Sequence, residues 1–177
     1  MLALTQVATA DAVLACFDAK YRYLFWRPIH AVQRADTDGN PATRSELDAA
    51  SLSHLHPNHP EYPGAHGCRS TAVTDTLAAF FGTDKVAFSM DSTVTGAGPT
   101  RYSERFTDVA KEVADARTWG GLHFRNSTME GAWIGKKVAR YVAADFFQQT
   151  GDWALRRSRR TGWGVVLLRC RACVCAR

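Results

Sequence analysis

The sequence lacks the long hydrophobic run that a membrane-spanning helix requires. Its 177 residues contain no stretch of ~18 consecutive apolar positions. The mildly apolar N-terminal run, residues 1–17, also lacks the basic flank and the cleavage site of a secretory signal. We therefore expect a soluble protein without a transmembrane segment, whose compartment the sequence leaves unknown.

The sequence also lacks a disulfide framework. Two of its five cysteines, Cys16 and Cys68, lie in the body of the chain, and the other three lie within the last eight positions. Such uneven spacing excludes the small disulfide-stapled domains. The Cys170-x-x-Cys173-x-Cys175 pattern has no nearby histidine or second cysteine pair to complete a zinc site.

Acidic residues are absent from residues 156–177, which contain seven arginines. Subtracting these from the 22 basic residues leaves 15 against 17 acids, so residues 1–155 have a net charge of −2. The basic character belongs to this tail, and the body shows no spread of positive charge that would predict specific nucleic-acid binding. We predict a folded domain over residues 1–150 and a disordered or aberrant Arg/Cys-rich tail over 151–177.

Apolar periodicity predicts an all-α fold, a helical bundle with long connecting loops. The expected helices cover residues 10–33, 66–81, 102–117 and 127–146. Pro28 should kink or end the first of them near Trp26–Arg27. The segment 34–65 has four prolines and no sustained period, which predicts a long ordered loop. Residues 86–100 are a polar connector with weak strand character.

Three short stretches concentrate residues suited to holding a tetrahedral oxyanion. They are Lys20-YRYLFW-Arg27-Pro28, Tyr62-Pro63-Gly64-Ala65-His66 and Arg117-TWGGL-His123. In the first, the two cations are seven positions apart, about two helical turns, so both would lie on nearly one helix face. In the second, free backbone N–H groups at a helix start favour an anion.

The third stretch joins an arginine to a histidine through a Gly-Gly turn. Arginine can bind two oxyanion oxygens through its planar guanidinium, which lysine cannot do. A neutral histidine can attack phosphorus or ligate a metal, and a second histidine can transfer the proton. Each stretch is weak evidence alone, and their ordered combination is what indicates a site.

In this order, K-x6-RP, a P-x-x-H turn and R-x5-H resemble the signature of the type 2 phosphatidic acid phosphatase and vanadium haloperoxidase superfamily. The resemblance covers Lys20 to about Phe147. The stretches HPEYPGAH and RTWGGLHFRNST are similar to sequences of the soluble, bacterial haloperoxidase-like branch. The membrane-embedded lipid-phosphatase branch is disfavoured because this sequence has no transmembrane run.

The resemblance implies a role for each matching residue. Lys20, Arg27 and Arg117 would neutralise the oxygens of vanadate or phosphate, together with backbone N–H groups at Gly64 and Ala65. His123 would be the axial ligand to vanadium or the nucleophile to phosphorus, and His66 the general acid/base. One pocket can serve both chemistries because five-coordinate vanadate has the shape of a phosphoryl-transfer transition state.

Three positions depart from the family pattern. The usual turn is P-S-G-H, so the serine hydroxyl is missing at Gly64, and Ala116 replaces a serine before the arginine. Phosphatase members have an acid four residues after the second histidine, where this chain has Ser127. We interpret Ser127 as a helix cap, in a capping box with Glu130. His123 would then lack an orienting partner, which favours vanadate chemistry over phosphatase activity.

The resulting hypothesis is a vanadium-dependent haloperoxidase that uses hydrogen peroxide and halide, with vanadate as cofactor. One alternative is a soluble acid phosphatase that hydrolyses phosphomonoesters through a phosphohistidine at His123 and needs no cofactor. A third is an inactive truncated remnant whose arginine-rich tail adheres to polyanions.

Relatives in the soluble branch have further helices before the first motif, whereas only nineteen residues precede Lys20 here. We therefore expect a fragment, partial relative to the full family domain, with self-association through an exposed bundle face.

Three other histidines lie close together in the loop, at positions 54, 56 and 59. Without a carboxylate or cysteine at ligand spacing, we interpret them as polar loop residues or as support for the site rather than as metal ligands.

Overall fold

The computed structural model describes residues 1–48, 56–91 and 100–147. Within these ranges the predicted all-α helical bundle is confirmed. The helices are α1 (Leu2–Tyr23), α2 (Pro28–Gln33), α3 (Ala65–Phe81), α4 (Phe106–Trp119) and α5 (Arg125–Asp145), with a 3-10 turn at Ala35–Thr37 and a two-stranded sheet of β1 (Lys85–Met90) and β2 (Arg101–Arg105). The tail at 151–177 and its cysteines, His54 and most of the 86–100 connector lie outside the described residues.

Helix α3 lies at the centre of the bundle and packs against α1, α4 and α5. The buried core between them is made mostly of small side chains: Ala8, Ala12, Cys16, Cys68, Ala72 and Val142. Small residues allow helix backbones to approach closely, so the polar ends of α1, α3 and α5 are brought together at one end of the bundle.

The first helix differs from its prediction in both bounds. Helix α1 begins at Leu2 and ends at Tyr23, where Leu24 takes a left-handed conformation (φ 49°) and its N–H donates to Lys20 O. Pro28 is the first residue of a new helix, α2, as a proline without an N–H can be. The interruption at Pro28 is confirmed, but Arg27 does not share a helix face with Lys20, because the chain leaves α1 before reaching it.

The third predicted helix is wrong over its first four residues, Tyr102–Arg105. These pair with β1 in an antiparallel ladder, with Ser103 opposite Phe88 and Tyr102 opposite Ser89. The helix starts only at Phe106, because Asp84 accepts hydrogen bonds from the Thr107 N–H at 3.0 Å and hydroxyl at 2.7 Å. This cap comes from a distant part of the chain, and no local pattern indicates it.

One helical stretch of the described residues, Leu2–Gln33, includes an 18-residue window with a mean hydropathy of 1.3, apolar enough by length and composition to cross a membrane. Core helices of soluble proteins and signal sequences meet the same criterion, so this is weak evidence. In this fold α1 buries Ala8, Ala12 and Cys16 in the core and places Lys20 in the candidate site.

Candidate functional site

Lys20 is the most deeply placed cation of the site. Its side chain is fully buried, and Nζ donates to the carbonyl oxygens of Pro60 at 2.9 Å and Glu61 at 2.8 Å. An ammonium group has three N–H donors, so one remains for an anion. Burial lowers the pKa of Lys20 to about 8, because it disfavours the charged form, which a negative ligand would stabilise.

Arg27 connects the loops before α3 and α5. Its guanidinium donates to Leu122 O at 3.0 Å and to His59 O at 2.9 Å, and only 3% of the residue is exposed. Its Nε is buried and finds no hydrogen-bond partner among the described residues. Burial lowers the pKa of Arg27, and the nearby Arg117 lowers it further. A buried donor of this kind is costly unless an acceptor meets it.

The turn that joins Arg117 to His123 is closed by its own backbone. Arg117 lies in the last turn of α4, and its carbonyl oxygen accepts the N–H groups of Leu122 at 3.1 Å and His123 at 3.2 Å. Gly121 makes this possible with φ 69°, a conformation that disfavours larger residues. Arg117 also has a buried Nε with no partner in the described part of the chain.

The start of α3 presents the second motif. Gly64 precedes the helix and Ala65 is its first residue. The Gly64 N–H already donates to Ser127 O at 2.7 Å, so this predicted anion donor is engaged elsewhere. The N–H groups of the first helical turn, beginning with Ala65, have no intrahelical acceptor and remain suited to an anion.

His66 lies one residue further into this turn. Burial, together with the charges of Arg117 and Arg69, lowers its pKa to about 4. His66 is therefore neutral near neutral pH, which leaves one ring nitrogen with a lone pair that can accept a proton.

His123 is oriented by a carboxylate, contrary to the expectation from the sequence. Its Nδ1 lies 2.7 Å from Glu61 Oε1, and the two side chains are 1% and 0% exposed. Burial lowers the pKa of His123, although Glu61 opposes the shift. Burial raises the pKa of Glu61, but hydrogen bonds from His123 and Ser127 outweigh it and bring this pKa below its usual value. The pair is therefore an ionised carboxylate and a neutral imidazole.

The interpretation of Ser127 as a helix cap is wrong. Helix α5 already begins at Arg125, and no side chain caps it. The Ser127 hydroxyl instead donates to Glu61 Oε2 at 2.6 Å, deep in the site. The first N–H groups of a helix do not require a side-chain acceptor, so the Ser127 hydroxyl can bond to a distant residue instead of capping α5.

Sequence reasoning missed Glu61 because the orienting acid was expected four residues after the histidine. The available signal was that Glu61 is the sole acid between Asp48 and Asp75, inside the HPEYPGAH stretch. Nothing in its spacing from His123, sixty-two residues away, indicates the contact.

The structure brings the predicted site residues into one electrostatic neighbourhood. The charges of Lys20 and Arg27 lower the pKa of His123, and the charge of Arg117 lowers the pKa of His66. Three buried or half-buried cations thus surround two neutral histidines, with Glu61 as the carboxylate among them. The cations repel one another, and the Nε donors of Arg27 and Arg117 have no partner in the part of the chain that the structure describes. An oxyanion would therefore stabilise this site.

Two open cavities adjoin the site. One of about 670 Å³ is lined by Arg27, Trp26, His30, His56 and His59 among others. The other, of about 470 Å³, lies between Tyr23, Phe25, Tyr62 and Phe124 and reaches Ser127. His59 supports the site as expected, since its carbonyl oxygen accepts from Arg27 and its ring contacts Phe17. The described residues contain no cluster of three or more His, Cys, Asp or Glu side chains suited to a metal ion.

Comparison with known proteins supports the fold. A family model described as the VCPO second helical-bundle domain matches residues 1–151. The structure is similar to that of a bacterial vanadium-dependent iodoperoxidase, with 30% identity and a TM-score of 0.65, over 80% of this chain and 32% of that one. No curated protein matches the chain.

Two structures of a bacterial vanadium-dependent chloroperoxidase have the same fold. The apo form has 18% identity and a TM-score of 0.66, and the holo form 19% and 0.65. Each match covers 80% of this chain and 35% or 34% of the other. The chain therefore spans about a third of the length of the solved structures it matches.

Proposed function

Because the chain belongs to the family of the VCPO second helical-bundle domain, we propose that its cationic site binds vanadate and supports the oxidation of halides by hydrogen peroxide. The observation that supports this most directly is that Arg27 and Arg117 each have a buried Nε donor with no partner among the described residues. They occur beside a third buried cation, Lys20, and a neutral histidine. This donor set fits a vanadate group.

Each residue has a separate task in holding the anion. Lys20 is pinned by two backbone carbonyls, so its remaining N–H has a fixed direction. Arg27 is held by Leu122 O and His59 O, whereas at Arg117 the closed turn holds only the backbone. Positions fixed in advance cost little conformational entropy when the anion binds. His123 would hold vanadate through Nε2, because Nδ1 faces Glu61.

Bound vanadate would supply the Lewis-acid centre at which peroxide is activated toward halide. The protein supplies the proton transfer. His66, neutral because its pKa is about 4, is able to accept a proton from incoming peroxide. An anion among the three cations would raise the pKa of His66 toward the working range, so that the same ring could return the proton to a leaving oxygen.

The Glu61–His123 contact also favours a second candidate, phosphomonoester hydrolysis at the same site. A histidine with its Nδ1–H held by a carboxylate is a competent nucleophile through Nε2. The sequence-based argument against this activity assumed an unoriented His123, and the 2.7 Å contact removes it. The similarity to haloperoxidases still makes halide oxidation the first candidate.

The test begins with orthovanadate binding to the 177-residue chain, measured by calorimetry. Saturable binding is expected, with loss in His123→Ala and no change in Arg125→Ala, an exposed cation two residues along the chain. Circular dichroism of each variant serves as the folding control.

Bromide and iodide oxidation with peroxide, with and without vanadate, then tests the activity. Halide oxidation that is independent of vanadate would refute the proposal. Phosphomonoester hydrolysis that vanadate inhibits and His123→Ala abolishes would establish the second candidate. A folded chain that binds no vanadate would support the inactive remnant.

A further inference from the structure

We propose that Glu61 is the positioning residue of this site: its buried carboxylate holds His123 as the Nδ1–H tautomer and so directs the Nε2 lone pair toward the bound oxyanion. The inference rests on the proposed function for its catalytic meaning. The geometry behind it is independent of any ligand.

Three donors converge on the Glu61 carboxylate. Oε1 lies 2.7 Å from His123 Nδ1 and accepts the Phe124 N–H at 3.1 Å, while Oε2 accepts the Ser127 hydroxyl at 2.6 Å. The Phe124 amide can only donate, and it fixes the plane of the carboxylate relative to the start of α5. Whether His123 donates depends on its tautomer, because a neutral imidazole ring has its proton on either Nδ1 or Nε2.

The backbone of Glu61 is held from the opposite side. Its carbonyl oxygen accepts Lys20 Nζ at 2.8 Å, and its N–H donates to Phe25 O at 2.9 Å. Glu61 therefore joins the end of α1 to the residues just before α5. Glu61 thus positions Lys20 through its backbone and His123 through its side chain.

The tautomer decides what His123 can do. Glu61 Oε1 already accepts the Phe124 N–H, so as an acceptor 2.7 Å from Nδ1 it requires the His123 proton on Nδ1, which leaves Nε2 unprotonated and able to ligate or attack. With the proton on Nε2, the ring would present an N–H donor to the anion and an unprotonated nitrogen to Glu61. Outer partners of ligating histidines act in this way in metal sites, and their loss weakens metal binding about 10–100-fold.

A purely structural role for Glu61 predicts something different. In that case the carboxylate only accepts hydrogen bonds from buried donors. Vanadate affinity in a folded variant with a polar replacement would then not depend on the tautomer of His123. The two roles are separated by reading the tautomer itself, on the chain without vanadate.

The experiment compares Glu61→Gln with Glu61→Leu. The glutamine side chain would retain an oxygen for the Nδ1–H of His123, whereas the leucine side chain has a similar size and accepts nothing. Long-range ¹H–¹⁵N NMR of the histidine rings at neutral pH, assigned with His123→Gln, reports which nitrogen has the proton. We expect Nδ1–H in the wild type and in Glu61→Gln, and a shift toward Nε2–H in Glu61→Leu.

Orthovanadate affinity is the second readout. It should fall about 10–100-fold in Glu61→Leu and much less in Glu61→Gln. Ser127→Ala is the matched control, because it removes a donor from Oε2 but leaves the His123 contact on Oε1 intact. Its tautomer should be that of the wild type, and circular dichroism confirms that each variant is folded.

Each outcome decides between the two proposals. An Nε2–H ring in the wild type overturns the inference even if Glu61→Leu fails to fold. If a folded Glu61→Leu variant binds vanadate with unchanged affinity, the inference about Glu61 is overturned and the proposal of vanadate binding is retained. An Nδ1–H ring in a wild-type chain that binds no vanadate refutes the proposed function and leaves Glu61 as the residue that sets the tautomer.

Discussion

Gly131 of α5 lies directly on the carbonyl oxygen of Gly64: a Cβ atom at Gly131 would be 2.2 Å from that oxygen. At the same crossing, the Gly64 N–H donates to Ser127 O at 2.7 Å. The segments that contain His66 and Ser127 are therefore in backbone contact, and the site is built where α3 and α5 touch.

Gly131→Ala should destabilise the domain. Alanine improves helix propensity by about 1 kcal/mol, but a Cβ 2.2 Å from a backbone oxygen forces two packed helices apart. Overpacking outweighs propensity here, and we expect a net loss of at least about 2 kcal/mol in unfolding free energy, measured by denaturant titration. Met129→Ala, on the same helix and 63% exposed, should change it by less than about 0.5 kcal/mol. Equal stabilities would contradict the close approach.

Gly64→Ser restores the serine of the family turn but should not strengthen vanadate binding. A Cβ at Gly64 would lie 3.0 Å from Ser127 O and 3.2 Å from Thr128 Cα, both backbone atoms of α5. We expect a loss of about 1–2 kcal/mol in stability and no gain in affinity by calorimetry. Ala65→Gly, the neighbouring departure from the pattern, adds no atom to this contact and serves as the control. Tighter vanadate binding by Gly64→Ser would show that α5 moves away to accommodate the serine side chain.

His66 should make the folded chain sensitive to mild acid. Its pKa falls from 6.5 to about 4 on folding, mainly by burial. Below pH 6.5 the unfolded chain takes up this proton and the folded chain does not, so stability declines as the pH falls toward about 4.

The decline should amount to about 1–2 kcal/mol, less than the full pKa shift implies because His66 is only half-buried and solvent screens its charge, and it should be absent from His66→Gln. Denaturant titrations of both proteins at several pH values between about 7 and 4 isolate the contribution of His66 to the free energy of unfolding, because all other groups titrate in both proteins. Parallel curves for the two proteins would rule out a lowered pKa at His66.

Arg117→Lys should weaken vanadate binding although it keeps the positive charge. Lysine lacks the planar guanidinium and the Nε donor that is buried without a partner here. Loss of one charge-assisted hydrogen bond corresponds to about a 10–100-fold lower affinity, measurable by calorimetry. In Arg125→Lys, whose side chain is 61% exposed and paired with Asp115, affinity should stay the same. A weaker effect at Arg117 than at Arg125 would place the anion elsewhere.

Local pattern was sufficient for much of the fold. The prediction of a helix over 66–81 is correct to one residue, because a periodic apolar face is followed by Gly82, which takes φ 70° and ends it. The prediction for Tyr102–Arg105 failed because strand pairing with β1 and the Asp84 cap on α4 are made by other parts of the chain.

The sequence by itself determined the bundle fold and the residues of the three motifs, since both follow from spacings of a few residues along one chain segment. Only the tertiary structure decided how the motif residues are held. The Glu61 carboxylate meets His123 and Ser127 across more than sixty positions, and Arg27 meets Leu122 across ninety-five. Contacts of this kind depend on how closely α3 and α5 approach, which is set by the absence of side chains at Gly64 and Gly131.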